Sequence, residues 1–281
     1  MTLTHWSPFG TGPLTWRITD LPASSLDLRS PWPGPAPRDG VASLGTGAGV
    51  RVCVVDSGVD PDHPDVGALD GAYTVAAATE QEGLRIEADE VGDTCGHGTA
   101  CAGIIRSIAP DVTLTSVRVL GANLAGTGEA LLAGLRWAVE QRFDIINMSL
   151  STPKRDFALR LHDLADRAYF GGSLLVASAH NLRIESYPWR FSSVLSVGSH
   201  SLPEPLHLVY NPAPPVEFFA RGVDVPVAWS NGETRRCTGN SFATPHVAGM
   251  CARILSSYPG LEPFQVKNLL YLTAANVRST P

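Results

Sequence analysis

Four short apolar runs punctuate the chain, at residues 50–55, 143–148, 174–179 and 194–197. The first is rich in β-branched residues, and all four predict buried strands. Between them the apolar positions recur at helix spacing. In 129–142, Leu131, Leu132, Leu135 and Val139 fall on one face, which predicts an amphipathic helix. Residues 99–105 predict a helix opened by His97, and 247–255 an apolar helix that starts just before Pro245. A proline is tolerated in a helix's first turn, so Ser241 is placed at that helix's N-terminus. Residues 265–275 predict the final helix. Strands alternating with helices imply an α/β fold of three layers, with a mostly parallel sheet covered on both faces. No internal repeat is evident.

Two stretches break the pattern. Residues 1–45 are rich in Pro, Gly and Ser, and they predict an N-terminal extension packed on the body through Trp6, Trp16 and Trp32. The main domain is then 46–281. Residues 203–215 hold five prolines and predict a surface loop near the route of ligand access.

Composition narrows the class. A 281-residue chain with 44% hydrophobic residues has ample material for a core. The net charge of −6, with no basic stripe, argues against nucleic acid as a partner. No apolar run approaches the length of a membrane span. Five scattered cysteines, Cys53, Cys95, Cys101, Cys237 and Cys251, suit a reducing compartment better than a disulfide framework. Residues 1–9 have neither the basic start nor the apolar centre of a secretory signal. A cytoplasmic location is expected.

Three glycine-flanked segments carry the chemistry: Val54-Val55-Asp56-Ser57-Gly58, Gly96-His97-Gly98-Thr99-Ala100, and Gly239-Asn240-Ser241-Phe242-Ala243-Thr244-Pro245-His246. A serine hydroxyl needs a neighbouring imidazole to take its proton as it attacks a carbonyl, and that imidazole needs an orienting carboxylate. Asp56, His97 and Ser241 supply these three groups. Each has a plainer role when taken alone: a turn cap, a packed ring, a helix cap. Their conjunction, in this order, is what points to catalysis. The negative oxygen of the resulting intermediate needs donors, and the candidates are the Ser241 N–H and the Asn181 amide. Asn240 offers a further amide near that oxygen. Cys95, two residues before His97, reads as an inert small hydrophobe that is open to thiol reagents.

These segments resemble the subtilisin-like serine proteases, the subtilases, over residues of about 50 to 276. The resemblance extends to Val119-Leu120-Gly121, to Asp144-Ile145-Ile146-Asn147-Met148-Ser149-Leu150, and to Tyr187-Pro188 followed by Val194-Leu195-Ser196-Val197-Gly198. It implies that 46–281 is the catalytic domain, that Asp56, His97 and Ser241 are the triad, and that Asn181 is the oxyanion donor. It also implies that Ser149, Leu150 and Ser151 pair with the substrate backbone on one side, and Asn123, Leu124, Ala125 and Gly126 on the other. Ala179 and His180 complete the substrate-binding set. A bound substrate would thus add a strand.

Several residues depart from the family's pattern. Asn240 and Phe242 replace a usual Thr and Met, His180 and Ser151 stand where glycines are common, and Leu182-Arg183-Ile184-Glu185 replaces small residues. Asp65 matches one carboxylate of a family calcium site, but the partner loop is missing, and one carboxylate does not make a calcium site. No metal and no cofactor are expected. The histidines show no metalloprotease spacing. The expected function is a serine endopeptidase of narrow specificity acting on a peptide or protein, for example in peptide maturation. The alternatives are a peptide cyclase or transpeptidase, and a silent subtilase-fold binding scaffold. The oligomeric state is not legible.

Overall fold

The computed structural model describes residues 40–77 and 83–278, which fall in one compact unit beginning at Gly34. The predicted extension of 1–45 lies mostly outside the described residues, as do Trp6, Trp16 and Trp32. Its last residues form a short 3-10 turn, Gly40–Ser43, with Val41 buried. The Arg253 guanidinium donates to the carbonyls of Val41, Ala42 and Leu44.

The strands of the main sheet are β1 Arg51–Asp56, β2 Gly71–Ala77, β3 Leu84–Ala88, β4 Thr113–Arg118, β5 Ile145–Met148, β6 Leu174–Ser178, β7 Leu195–His200, β8 Val209–Tyr210 and β9 Phe218–Arg221. They form one nine-stranded sheet in the order β3-β2-β4-β1-β5-β6-β7-β9-β8. Only the edge pairings, β2 with β3 and β8 with β9, are antiparallel. A separate antiparallel hairpin joins β10 Val225–Trp229 to β11 Glu233–Cys237.

The helices are α1 His97–Ile108, α2 Gly128–Glu140, α3 Ala158–Phe170, α4 Asn240–Ser257 and α5 Pro263–Thr273. α1 and α4 pack on one another and on one face of the sheet, and α2 and α3 on the other, so the predicted three-layer α/β architecture holds. β1, β5 and β6 are buried nearly throughout, as strands covered on both faces must be. α4 is buried from Phe242 to Ala252 and runs through the core, not over its surface.

The structure corrects two expectations. Pro245 sits inside α4, beyond its first turn. Residues 203–215 are not all loop, because β8 adds an edge strand to β9. β8 itself holds no proline, and the five prolines lie on either side of it.

The chain leaves β1 for one side of the sheet, returns through β4, and continues on the other side through β5. The C-terminal end of β1 therefore lies at a topological switch point, where open α/β sheets build their sites.

Candidate active site

Asp56 closes β1, and the period of two along that strand decides where it points. Cys53 and Val55 belong to the core beneath α2 and α3. Asp56 therefore faces the opposite layer, that of α1. There His97 Nδ1–H donates to Asp56 Oδ1 at 2.7 Å, with both residues buried. The Ser57 N–H donates to the same oxygen at 2.8 Å. A carboxylate can only accept, so the neutral ring keeps its proton on Nδ1 and Nε2 is the basic end. Burial disfavours the imidazolium, but the charge of Asp56, its hydrogen bond and the charge of Asp93 outweigh it. Together they hold His97 above its ordinary pKa.

The entrance of α1 is held by Asp93, which the sequence reading did not single out. Its Oδ1 accepts from Ser57 Oγ, the Cys95 N–H and the Gly96 N–H at 2.8, 2.9 and 2.8 Å. Its Oδ2 accepts from the Thr99 N–H and hydroxyl. The first N–H groups of a helix have no partner within it, and this carboxylate takes that of Thr99 together with the two N–H groups just ahead of the helix. The available signal was an Asp just ahead of a glycine-rich helix start. Gly98 makes the approach possible, since a Cβ there would collide with the Gly58 carbonyl oxygen. Gly249 does the same between α4 and α1, where a Cβ would lie 2.6 Å from the Cβ of Ile108.

Ser241 is the second residue of α4, so its N–H has no acceptor within the helix. The helix N-terminus also carries partial positive charge. Asn181 Oδ1 accepts the Asn240 N–H at 2.9 Å, which leaves its Nδ2 as the free end. A Cβ placed on Gly239 would lie 3.2 Å from Ser241 Oγ and 3.4 Å from Asn181 Nδ2, so hydroxyl and amide are near neighbours. No hydrogen bond joins Ser241 Oγ to His97 Nε2 among the described residues, although both side chains line one cavity. In resting serine hydrolases that contact is often loose and tightens with substrate.

Asn240 does not offer an amide to the oxyanion, contrary to the sequence expectation. Its Nδ2 donates to the carbonyls of Ala179 and His180, and its Oδ1 accepts from Ser199 Oγ. It braces the segment carrying Asn181 against α4. Phe242 packs its ring 5.4 Å from that of His97 and joins a core with Ala100 and Ile104.

Pro245 has no N–H to give to the Ser241 carbonyl four residues earlier. The Cys101 thiol lies 3.8 Å from that oxygen and 3.9 Å from Asp56 Oδ2. Burial, then the charge of Asp56, push this thiol well above its ordinary pKa. Asp56, His97 and Cys101 present donor atoms within 4.8 Å of one another. A metal would need the thiolate and would have to break the Asp56–His97 bond, so the group fits a hydrogen-bonded cluster better than a metal centre. Burial also raises the Cys95 thiol, against bonds from Ser57 and the His97 backbone.

The cavity holds about 230 Å³ and opens where β4, β5 and β6 end. Leu150, Ser151, Ala179 and His180 line it together with Ser149, Leu124 and the residues above. Ala125 and Gly126 border a neighbouring cavity with Leu120 and Leu131. Asn123 stands in a turn and Leu124 in a bend, with Asn123 Oδ1 accepting the Ala125 N–H, and Asn123 is not among the residues that line these two cavities.

The sequence profile of the Subtilase family matches residues 47–280. Subtilisin DY of Bacillus licheniformis is 32% identical over 246 residues, spanning 82% of this chain and 85% of the relative. Subtilisin E of Bacillus subtilis (strain 168) is 31% identical over 244 residues, spanning 82% of this chain and 61% of the relative. The crystal structure of a cold adapted subtilisin-like serine proteinase superposes with a TM-score of 0.66 at 28% identity, covering 80% of this chain and 81% of that one. The chain belongs to the subtilase family and is a serine endopeptidase of that family.

Proposed function

We propose that this endopeptidase works through an acyl-enzyme in which Ser241 attacks, His97 moves the proton, and Asp56 holds His97. The Asn181 amide and the Ser241 N–H receive the negative oxygen. The observation that carries this reading is the 2.7 Å bond between His97 Nδ1 and Asp56 Oδ1, with His97, Ser241 and Asn181 on one cavity wall. His97 Nε2 takes the Ser241 proton as the Ser241 Oγ–carbon bond forms. The imidazolium is stabilised by Asp56, and the tetrahedral oxygen by two donors already aimed before reaction. His97 then gives the proton to the departing amine. Water, deprotonated by the same ring, releases the acid and restores Ser241.

The specificity is narrow, with one peptide leader or partner protein as substrate, and the site of action is a reducing compartment such as the cytoplasm. Two features support this. All five cysteines are free. The segment after Asn181 exposes Leu182 and Ile184, while Glu185 is held by Arg155 at 2.6 Å and Arg190 at 3.3 Å.

A fluorophosphonate probe tests the catalytic reading, with intact mass as the readout. One adduct that disappears in Ser241→Ala is expected. Absence of an adduct on folded protein would favour a silent scaffold. Rapid, indiscriminate digestion of casein would overturn the narrow specificity.

A further inference from the structure

The wall of the active-site cavity mixes apolar Leu120, Leu124, Leu150 and Ala179 with polar side chains, and two of the polar ones, Ser151 and His180, accept a hydrogen bond from behind. Trp189 Nε1–H, which can only donate, bonds Ser186 Oγ at 2.8 Å, and Ser186 Oγ bonds Ser151 Oγ at 3.0 Å. Trp189 and Ser186 are buried. Ser186 receives from Trp189, and among the described residues Ser151 Oγ is the acceptor that its own hydrogen reaches, so Ser186 passes that hydrogen to Ser151. The Ser151 hydroxyl, on the cavity wall, keeps its hydrogen to give. His180 follows the same logic. Its Nδ1 accepts the Leu182 N–H at 3.0 Å, so the neutral ring carries its hydrogen on Nε2, for which the described residues offer no acceptor. Among the described residues no carboxylate lines the cavity, and Glu185 is paired with Arg155 and Arg190 and accepts from the Tyr187 hydroxyl.

We propose that Ser151 and His180 make this cavity selective for a substrate side chain ending in a carboxylate or carboxamide, glutamate and glutamine foremost, at the residue whose carbonyl is attacked. The inference rests on the acyl-enzyme reading of Ser241. The volume of about 230 Å³ equals the share of about eight liquid waters, enough for such a side chain. A leucine or phenylalanine would desolvate both donors and return no acceptor, the situation in which a polar site rejects an apolar analogue strongly. Both residues stand where the family commonly has glycine, so the selectivity belongs to this chain and not to the fold.

The test is a set of fluorogenic peptides that differ only at that residue. Glutamate and glutamine are expected to exceed leucine and phenylalanine in kcat/KM by on the order of 10- to 100-fold. His180→Gly and Ser151→Gly should each shrink that ratio several-fold. Wild-type preference for leucine or phenylalanine would overturn the proposal, and so would a ratio that survives both substitutions. Calorimetric binding of the same peptides to Ser241→Ala reads the cavity without chemistry. Tighter binding of the glutamate peptide than the leucine peptide there supports the proposal even if the wild-type protein takes no fluorophosphonate, a result that would sink the acyl-enzyme reading alone.

Discussion

Replacing Asp93 by asparagine changes one atom at the entrance of α1 and should disturb both stability and catalysis. The three donors on Oδ1, from Ser57, Cys95 and Gly96, hold the amide oxygen on their side. The new NH2 group then faces the Thr99 N–H, where Oδ2 had accepted at 2.9 Å. The Thr99 hydroxyl can turn to accept, but the N–H cannot. One hydrogen bond to a charged group is lost and a donor is stranded, which costs about 2 kcal/mol. The midpoint of urea unfolding falls accordingly. The second effect is electrostatic. Asp93 is one of the charges that hold His97 above its ordinary pKa, so neutralising it lowers that pKa. The acid limb of the fluorophosphonate labelling rate against pH moves to lower pH. A small displacement of the helix start lowers the plateau by about 10- to 100-fold. An Asp93→Asn protein with the wild-type urea midpoint, plateau and acid limb would refute the reasoning.

Asn181→Leu should lower kcat with KM little changed, by roughly 100- to 1000-fold, the usual cost of removing one oxyanion donor; an unchanged kcat would remove Asn181 from the oxyanion site. Gly98→Ala drives a methyl into the Gly58 carbonyl and should cost about 3 kcal/mol, read by thermal unfolding, together with loss of labelling. Burial pushes the His246 imidazole down from 6.5 to about 4. The unfolded ring takes a proton below pH 6.5 while the folded ring resists until about pH 4. Its stability contribution is therefore complete above 6.5 and lost as pH falls through about 4, by about 3 kcal/mol. Urea midpoints at pH 7 and pH 4.5 should diverge less in His246→Gln than in wild type, and an equal divergence would assign the acid sensitivity elsewhere.

Local pattern in the sequence determined a good part of this molecule. The apolar run ending at Asp56, the helical spacing of Leu131, Leu132, Leu135 and Val139, and the glycines around His97 each specify their own element. A period of 2 or 3.6 is written in neighbouring residues and needs no distant partner. β4 was missed because Thr115 and Ser116 make a buried central strand look polar. Its membership of the sheet is decided by β1 and β2 on either side, not by its own hydropathy. The sequence proposed Asp56, His97, Ser241 and Asn181 as one site, but only the strand order brings the ends of β1, β5 and β6 to one crevice with α1 and α4. The tertiary structure alone also decided the partners of the polar groups. Asn240 turns away to brace residues 179 and 180, Asp93 gathers the donors of the α1 entrance, and Cys101 answers the carbonyl that Pro245 leaves open. A side chain's type states what it can donate or accept. Which group stands 3 Å away is set by packing between segments far apart in the chain.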